Sequence, residues 1–401
     1  MKTRIILSVL FLFGILGTAF AQIKQSDTAT HYRSLIPVDK QKRLSNIDFI
    51  ANQQYAFRSD FKDGDYLGSK FKMEQFRMEI RGWVTKKVYF RFRHRYTSSF
   101  EPQSMDKIIK GVDMAYIAIK LGNKDKWEVM AGKFCVDWGG IEFDLNPIDI
   151  YEYSDIIEMA DNFLSGVGIK YFVNSSNYIG LQIYNSRTQT YNEIYGNDSI
   201  IGGAGITASK APLGGVLTWR GSLWNGLVTT LWSYSLTNEA SGIFKNYAAF
   251  GQQVNLKKLT IAYDFKISSE DLDRSGIISN EIPRDTYGYV LRNTLYTSHW
   301  LRVDWEFVPK WHLCFDGFID CANWMDDEDP EKEAYGNQIR TAYGYIPTIE
   351  YHPWDNFPVK FFAGYVGRIY NYSDYTKMKI DAKDYNTGRV MVGLISPLKF
   401  L

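Results

Sequence analysis

The sequence predicts an all-β fold, a 16-stranded antiparallel transmembrane β-barrel whose third extracellular loop folds inward. Three observations support this fold class. Aromatic residues make up 16% of the chain although the mean hydropathy is only −0.27. Several segments alternate apolar and ionic residues with a period of two, and short turns alternate regularly with long polar stretches. These features are typical of a barrel with an apolar outer surface and a wet interior.

The first 45 residues are expected to lie outside the barrel. Lys2 and Arg4 precede an apolar run at 5–16, and Ala19-Phe20-Ala21 has the form of a cleavage site. Residues 1–21 are therefore predicted to be a signal peptide, which means that the protein is exported. Residues 22–45 are polar and lack periodicity, so we expect a flexible periplasmic N-terminal arm. The barrel domain is assigned to 46–401.

Charge and cysteine content exclude several classes of protein. The chain has 46 basic and 45 acidic residues, and this balance is unlike that of a polybasic nucleic-acid binder. Cys314 and Cys321 fall on one predicted strand about 23 Å apart, too far for a disulfide. With Cys135 they form neither a disulfide framework nor a zinc motif. No apolar run after residue 21 is long enough for a transmembrane helix.

Four segments show the strand pattern most clearly: 87–97, 258–268, 300–308 and 311–320. In the first of them Phe90 and Phe92 alternate with Arg91, Arg93 and Arg95. Apolar residues on one face and ionic residues on the other indicate strands between two different environments. A final strand is expected within 389–401.

The connections set the number of strands. Short turns are predicted at 85–87, 122–125, 174–177, 225–226, 257–258, 309–310 and 354–357. Longer polar stretches lie at 59–69, 100–110, 139–163, 189–212, 238–244, 270–285, 325–336 and 373–386. Seven turns alternating with eight loops require sixteen strands, with all turns at one rim and all loops at the other. A soluble sandwich does not need this alternation, and a propeller would show a repeat of about 40 residues.

The third loop, 139–163, is predicted to narrow the lumen. It has no Lys or Arg, and a 25-residue loop between short strands is usually functional. Its seven acidic residues are Glu142, Asp144, Asp149, Glu152, Asp155, Glu158 and Asp161. We expect two or three of them to face the pore and the others to face solvent or cap local turns. Its apolar residues predict packing on the barrel wall, with a helical turn near 155–161.

A basic wall is predicted opposite this loop. Its members are Arg77 and Arg81 on strand two, Arg91, Arg93 and Arg95 on strand three, and Lys133 and Lys170 on nearby strands. A basic wall facing an acidic loop would set up a transverse field, a common basis of pore selectivity. The alternative is a merely solvated wall, partly neutralised by Glu74 and Glu79. Other acids also fall on the lumen face: Asp264, Asp304, Glu306, Asp316, Asp320 and Glu350.

Catalysis is not indicated. The sequence lacks G-x-S-x-G, H-E-x-x-H and a phosphate-cradling glycine loop. The five histidines form no ligand spacing. We therefore expect no enzymatic activity, no cofactor and no metal.

Residues 131–166 resemble a known family. The resemblance is carried by Ala131-Gly132-Lys133, Trp138-Gly139-Gly140-Ile141-Glu142, the run 146–155 (NPIDIYEYSD) and the run 161–166 (DNFLSG). They are similar to the phosphate-selective porin O and P family, in its Bacteroidetes-type branch. The resemblance implies a sixteen-stranded porin in the outer membrane of a Gram-negative bacterium, often trimeric. Its partners would be outer-membrane lipid, small polar solutes or inorganic ions and two further copies of the chain, without nucleic acid.

Three functions remain open at this point. Passive diffusion of small hydrophilic solutes or ions through a charged constriction ranks first, because the constriction loop is acidic. A phosphate- or anion-selective channel is the alternative, since Arg91, Arg93 and Arg95 could form part of a basic ladder. A non-conducting structural or binding barrel is the second alternative.

Overall fold

A computed structural model describes residues 46–195, 206–282, 290–325 and 332–400. The predicted signal peptide and N-terminal arm lie outside the described residues. The strands are β1 Ile47–Lys62, β2 Asp65–Trp83, β3 Val88–Arg95, β4 Val112–Leu121, β5 Trp127–Cys135, β6 Phe163–Asn174, β7 Asn177–Asn185, β8 Leu213–Leu223, β9 Val228–Ala240, β10 Ile243–Asn255, β11 Leu259–Leu272, β12 Arg292–Val308, β13 Trp311–Trp324, β14 Gln338–Tyr351, β15 Lys360–Tyr372 and β16 Tyr385–Lys399.

The sixteen strands form one closed barrel, as the turn count predicts. Each strand pairs with its sequence neighbours, and β16 pairs with β1 in antiparallel register from Ile50↔Lys399 to Lys62↔Thr387. A barrel of this strand number encloses a lumen that side chains from the wall do not fill. An additional segment must therefore enter it if the channel is to be narrow.

The two faces of the wall differ as the alternation predicts. On β7, Ile179, Leu181 and Ile183 are exposed on the outer face, whereas Gln182 and Tyr184 are buried on the inner face. The outward apolar residues match a hydrocarbon environment. Among the described residues, no helix has the length and apolar character needed to cross a membrane.

Two of the eight predicted loops are tight turns instead. The polar stretch 59–69 is a continuous hairpin that turns at Asp63 and Gly64, with φ angles of 51° and 88°. The stretch 238–244 turns at Ser241 and Gly242. Asp-Gly readily adopts the left-handed conformations of a two-residue hairpin turn. The chain can therefore turn within two residues, and the polar residues on either side belong to the strands.

The remaining long connections lie at the same end of the barrel. They contain the short helices α1 Ile141–Asp144, α2 Asp155–Glu158, α3 Tyr191–Tyr195, α4 Lys332–Tyr335 and α5 Asp374–Ile380. Single 3₁₀ turns occur at Pro147–Asp149 and Trp224–Gly226. The connection between β5 and β6, residues 136–162, is called loop L3 below. Its helix α2 matches the helical turn expected near 155–161.

Candidate functional site in the barrel lumen

Loop L3 crosses the interior of the barrel. It starts at β5, yet it contacts inward-facing residues of β11 and β13–β16. The crossing begins at Gly139 and Gly140, whose φ angles are 79° and 87°. A Cβ atom at Gly140 would lie 2.8 Å from the Asp264 carboxylate. Glycine is therefore required for the backbone to approach β11 closely at this point.

Carboxylates on the far wall accept hydrogen bonds from L3. Asp264 accepts from the backbone N–H groups of Ile141 at 2.7 Å and Glu142 at 2.8 Å. On β13, Asp320 accepts from the N–H of Asp155 at 3.0 Å. An irregular segment inside a barrel needs such partners, because its backbone groups have no strand to pair with. Several of the predicted lumen acids thus hold the loop.

Six of the seven acids predicted for 139–163 form ion pairs. Glu142 pairs with Lys266, Asp144 with Arg220, Asp149 with Lys360, Glu152 with Arg389, Asp155 with Arg340 and Arg368, and Asp161 with Arg274. Glu158 makes no ion pair with any described residue. Five of these cations lie on β11 and β14–β16, and we call them the anchoring wall: Lys266, Arg340, Lys360, Arg368 and Arg389.

The most deeply buried of these pairs is Glu142–Lys266. Both side chains are fully buried. Glu142 also accepts hydrogen bonds of 2.7 Å from the N–H and the hydroxyl of Ser154, so it joins the two ends of L3. Removing one partner from a buried ion pair costs about 3–5 kcal/mol, because the other charge is left without compensation. This clasp should therefore fix the position of the loop.

The opposite side of the lumen carries five arginines, Arg77, Arg81, Arg91, Arg93 and Arg95, which we call the arginine wall. The antiparallel register of β2 and β3 places Arg77 beside Arg95 and Arg81 beside Arg91. The sequence prediction that these two strands form one basic surface agrees with this register.

The arginine wall has fewer counter-ions than cations. Buried Asp113 lies within 3.2–3.5 Å of three guanidiniums, those of Arg77, Arg93 and Arg95. Glu79 lies 3.0 Å from Arg91 and 3.3 Å from Arg81. Asp48 lies 3.3 Å from Arg81 at the edge of the wall and is shared with Lys399. The wall therefore keeps a net positive charge.

A cavity of about 680 Å³ separates the arginine wall from L3. Its basic lining residues are the five arginines, Lys170 and Arg220. Its acidic lining residues are Glu79, Asp137, Asp144, Glu158 and Asp161. The cavity lies in the lumen between the arginine wall and L3, and we call it the passage below.

The two predicted lysines lie in different surroundings. Lys170 lines the cavity, with its Nζ 5.0 Å from the centre of the Tyr178 ring. Lys133 departs from the prediction, because it is 2% exposed and bonded to Asp106 at 3.3 Å beneath the 96–111 loop. The alternation of side chains along β5 predicted that Lys133 lies on the lumen face. The sequence did not show that a loop covers this lysine.

The L3 acids also differ in part from expectation. Asp144, Glu158 and Asp161 line the cavity, together with Asp137 at the start of L3. The other four predicted acids, Glu142, Asp149, Glu152 and Asp155, were expected at solvent or turn caps. They are instead paired with the anchoring wall, so half of the eight carboxylates of L3 point away from the arginines.

Sequence reasoning missed the cations of the anchoring wall and Asp113. The alternation on β11 placed Lys266 on the polar face, and similar parity could have marked Arg340, Arg368 and Arg389. Each strand of the anchoring wall carries only one or two of these cations, so no cluster of basic residues along the sequence indicated the wall. They come together only because L3 crosses the lumen to meet them.

Glu158 lies in α2, outside the membrane-spanning strands. Partial burial in the lumen and the nearby Glu152 carboxylate raise the pKa of Glu158, although Arg368 opposes the shift. Glu158 therefore becomes neutral at a higher pH than an ordinary glutamate.

Solved structures of similar fold are porins and outer-membrane channels. The outer membrane channel DcaP of Acinetobacter baumannii is 10% identical, with a TM-score of 0.55, and the match covers 88% of this chain and 98% of DcaP. An anion-selective porin from Comamonas acidovorans is 10% identical, with a TM-score of 0.51 and coverage of 88% and 99%. In-vitro folded OmpT of Vibrio cholerae, in a trimer form, is 9% identical, with a TM-score of 0.50 and coverage of 86% and 98%.

At this level of identity the structures establish the fold alone. No curated protein matches the chain significantly. The profile of the family described as phosphate-selective porin O and P matches residues 49–394, which is nearly the whole barrel. The chain therefore belongs to the phosphate-selective porin O and P family and is an outer-membrane channel for passive diffusion in a Gram-negative bacterium.

Proposed function

We propose that this porin conducts small hydrophilic solutes and prefers anions. The observation that carries the proposal is the unequal use of charge in the lumen. Four of the eight L3 carboxylates are turned to the far side and paired there, whereas the five arginines face the passage and share three carboxylates of the strands. The anion-selective alternative from the sequence thus gains weight over an unselective channel.

The strength of the preference depends on the distance between an ion and the wall. Two unit charges about 8 Å apart in water interact by about 0.5 kcal/mol. Five guanidiniums that share three carboxylates keep a net positive charge, which changes the ratio of anion to cation concentration in the passage by roughly five- to tenfold. The ion pairs of the anchoring wall act in the other direction only weakly, because each acid there has a cation beside it.

Phosphate is one anion that this wall would suit. Guanidinium groups bind phosphate oxygens through paired N–H donors, and Arg77, Arg93 and Arg95 converge on the single carboxylate of Asp113. A doubly charged anion would compete with that carboxylate for the outer N–H groups. The proposal therefore includes phosphate among the solutes without restricting the channel to it.

The test is the zero-current potential of single channels in a KCl gradient across a planar bilayer. Wild-type channels should favour Cl⁻ over K⁺. The variant R91A/R93A/R95A should lower the anion-to-cation permeability ratio by roughly five- to tenfold, and phosphate should then reduce the chloride current less than in wild type. A matched control is K70A/K72A/K87A, which removes three exposed cations that do not line the cavity.

The possible outcomes separate the candidate functions. A wild-type channel that favours K⁺, or a permeability ratio unchanged in the arginine variant, would refute the anion preference. Stepwise conductance without selectivity would favour a general diffusion channel. Absence of conductance at high protein concentration would favour the structural or binding barrel.

We also infer a non-enzymatic homotrimer. Support for the trimer comes from the trimer form of the structurally similar OmpT, and support for the absence of catalysis comes from membership of a porin family.

A further inference from the structure

We propose that the passage selects organic anions with an apolar or aromatic body over equally charged polar anions of the same size. This inference rests on the anion preference proposed above and concerns the same passage. It is based on the apolar residues of L3 that face the arginine wall. The charges of the passage do not account for these residues.

Half of the L3 residues that line the cavity are apolar or aromatic. Its apolar members are Phe143, Leu145, Pro147, Tyr153, Ile157 and Ala160, which we call the L3 apolar face. All except Ile157 are only half-buried, so they keep surface open to the passage. Four L3 carboxylates pair with the anchoring wall, and the L3 apolar face is exposed between the four carboxylates that remain at the cavity.

The arginine wall presents planar guanidinium groups, which can stack on rings as well as carry charge. The Arg93 guanidinium carbon lies 5.3 Å from the centre of the Phe163 ring, at the first residue of β6. Guanidinium planes stack on aromatic rings and bind carboxylates through paired N–H donors. A flat organic anion could therefore engage the wall with its carboxylate and its ring together.

The two sides of the passage complement a solute with two different ends. An inorganic ion or a polyhydroxylated anion gains only the electrostatic contact with the arginines. An aromatic carboxylate also removes apolar surface from water on the L3 apolar face, and about 50 Å² of such burial corresponds to roughly an eightfold gain in affinity. Binding pockets commonly combine an apolar lining with a few directed polar groups.

The experiment compares benzoate with threonate, a polyhydroxylated carboxylate with the same charge and the same number of non-hydrogen atoms. Each anion is added to wild-type channels that conduct KCl in a planar bilayer, and the concentration that halves the chloride current is measured. Benzoate should act at a roughly five- to tenfold lower concentration than threonate. Equal concentrations would overturn the inference, whatever the properties of the variants.

A variant assigns the effect to L3. F143S/L145S removes apolar surface from the passage but leaves the arginine wall intact, so the benzoate advantage should fall to less than twofold. M159S is the matched control, because Met159 is an L3 residue that is 40% exposed but does not line the cavity. An unchanged benzoate advantage in F143S/L145S, with wild-type KCl conductance, would contradict the assignment to L3.

Failure of this inference can be told apart from failure of the proposed function. The zero-current potential in KCl reports only on small inorganic ions and depends on the arginine wall. A channel that prefers chloride but does not distinguish benzoate from threonate keeps the proposed function and loses the inference. A channel without chloride preference loses the proposed function, and because the inference rests on that preference, it loses the inference as well.

Discussion

The anchoring wall and the arginine wall each present five cationic side chains to the same lumen, yet the two sets of side chains have different roles. On the anchoring wall, Lys266, Lys360, Arg368 and their neighbours meet carboxylates of L3. On the arginine wall no loop segment supplies such partners, and Asp113 alone serves three guanidiniums. Lysine and arginine side chains therefore hold a loop on one side of the lumen. On the other side, arginine side chains produce a positive electrostatic potential in the passage.

The comparison shows what decides the role of a charge inside a porin. A charge that is buried with an opposite charge contributes little to the potential in the water beside it, and breaking its pair is expensive. A charge left at the passage surface interacts weakly with each ion, but it acts on every ion that passes. The path of L3 determines which side of the lumen plays which role.

The largest expected effect comes from breaking the anchoring wall at its buried clasp. In Glu142→Gln, Lys266 loses its counter-ion and L3 should be held less firmly by about 3–5 kcal/mol. The barrel should still fold, because its strand pairing does not involve L3. Single-channel recordings should show a larger and noisier conductance, and added protease should cleave L3 faster.

Glu158→Gln serves as the control for that variant, because it changes an L3 glutamate that has no ion pair with a described residue. Wild-type conductance and protease resistance in Glu142→Gln would contradict the role assigned to the clasp.

An intermediate effect is expected from removing the shared counter-ion of the arginine wall. In Asp113→Asn the side-chain shape is retained but one negative charge is lost. The anion-to-cation permeability ratio should rise about two- to threefold. Heat resistance of the barrel should fall, because Arg77 and Arg93 are nearly buried and lose their main counter-ion. If the zero-current potential shows a lower anion preference in Asp113→Asn, Asp113 does not reduce the positive potential of the arginine wall.

The smallest effect concerns pH and Glu158. Its raised pKa means that this carboxylate takes up a proton above the ordinary glutamate pKa of about 4.3 as pH falls. The passage then loses one negative charge, so anion preference should increase as the pH falls from 7, by about twofold once Glu158 is protonated.

Glu158→Gln separates the contribution of Glu158 from that of all other groups that respond to pH. The variant should already show the higher anion preference at pH 7 and should respond less to acidification. An identical pH response in wild type and variant, measured by zero-current potentials, would rule out Glu158 as the titrating group.

The sequence by itself determined the barrel. Alternation on strands such as 258–268 and the strict order of short and long connections fixed the number of strands, because side chains of a strand alternate between its two faces. The same parity located the arginine wall on β2 and β3, which are joined by a short turn and must pair. Local pattern was misleading where polar residues continued a hairpin, as on both sides of Asp63 and Gly64.

Only the tertiary structure decided where the charges of L3 go. Glu142 and Lys266 are 124 positions apart in the chain, and no local pattern relates them. Lys133 was misplaced for the same reason, since its partner Asp106 comes from a loop that folds over it. The sequence fixes the face of the sheet on which a side chain lies, but contacts across the lumen depend on the path of a loop with no repeating geometry.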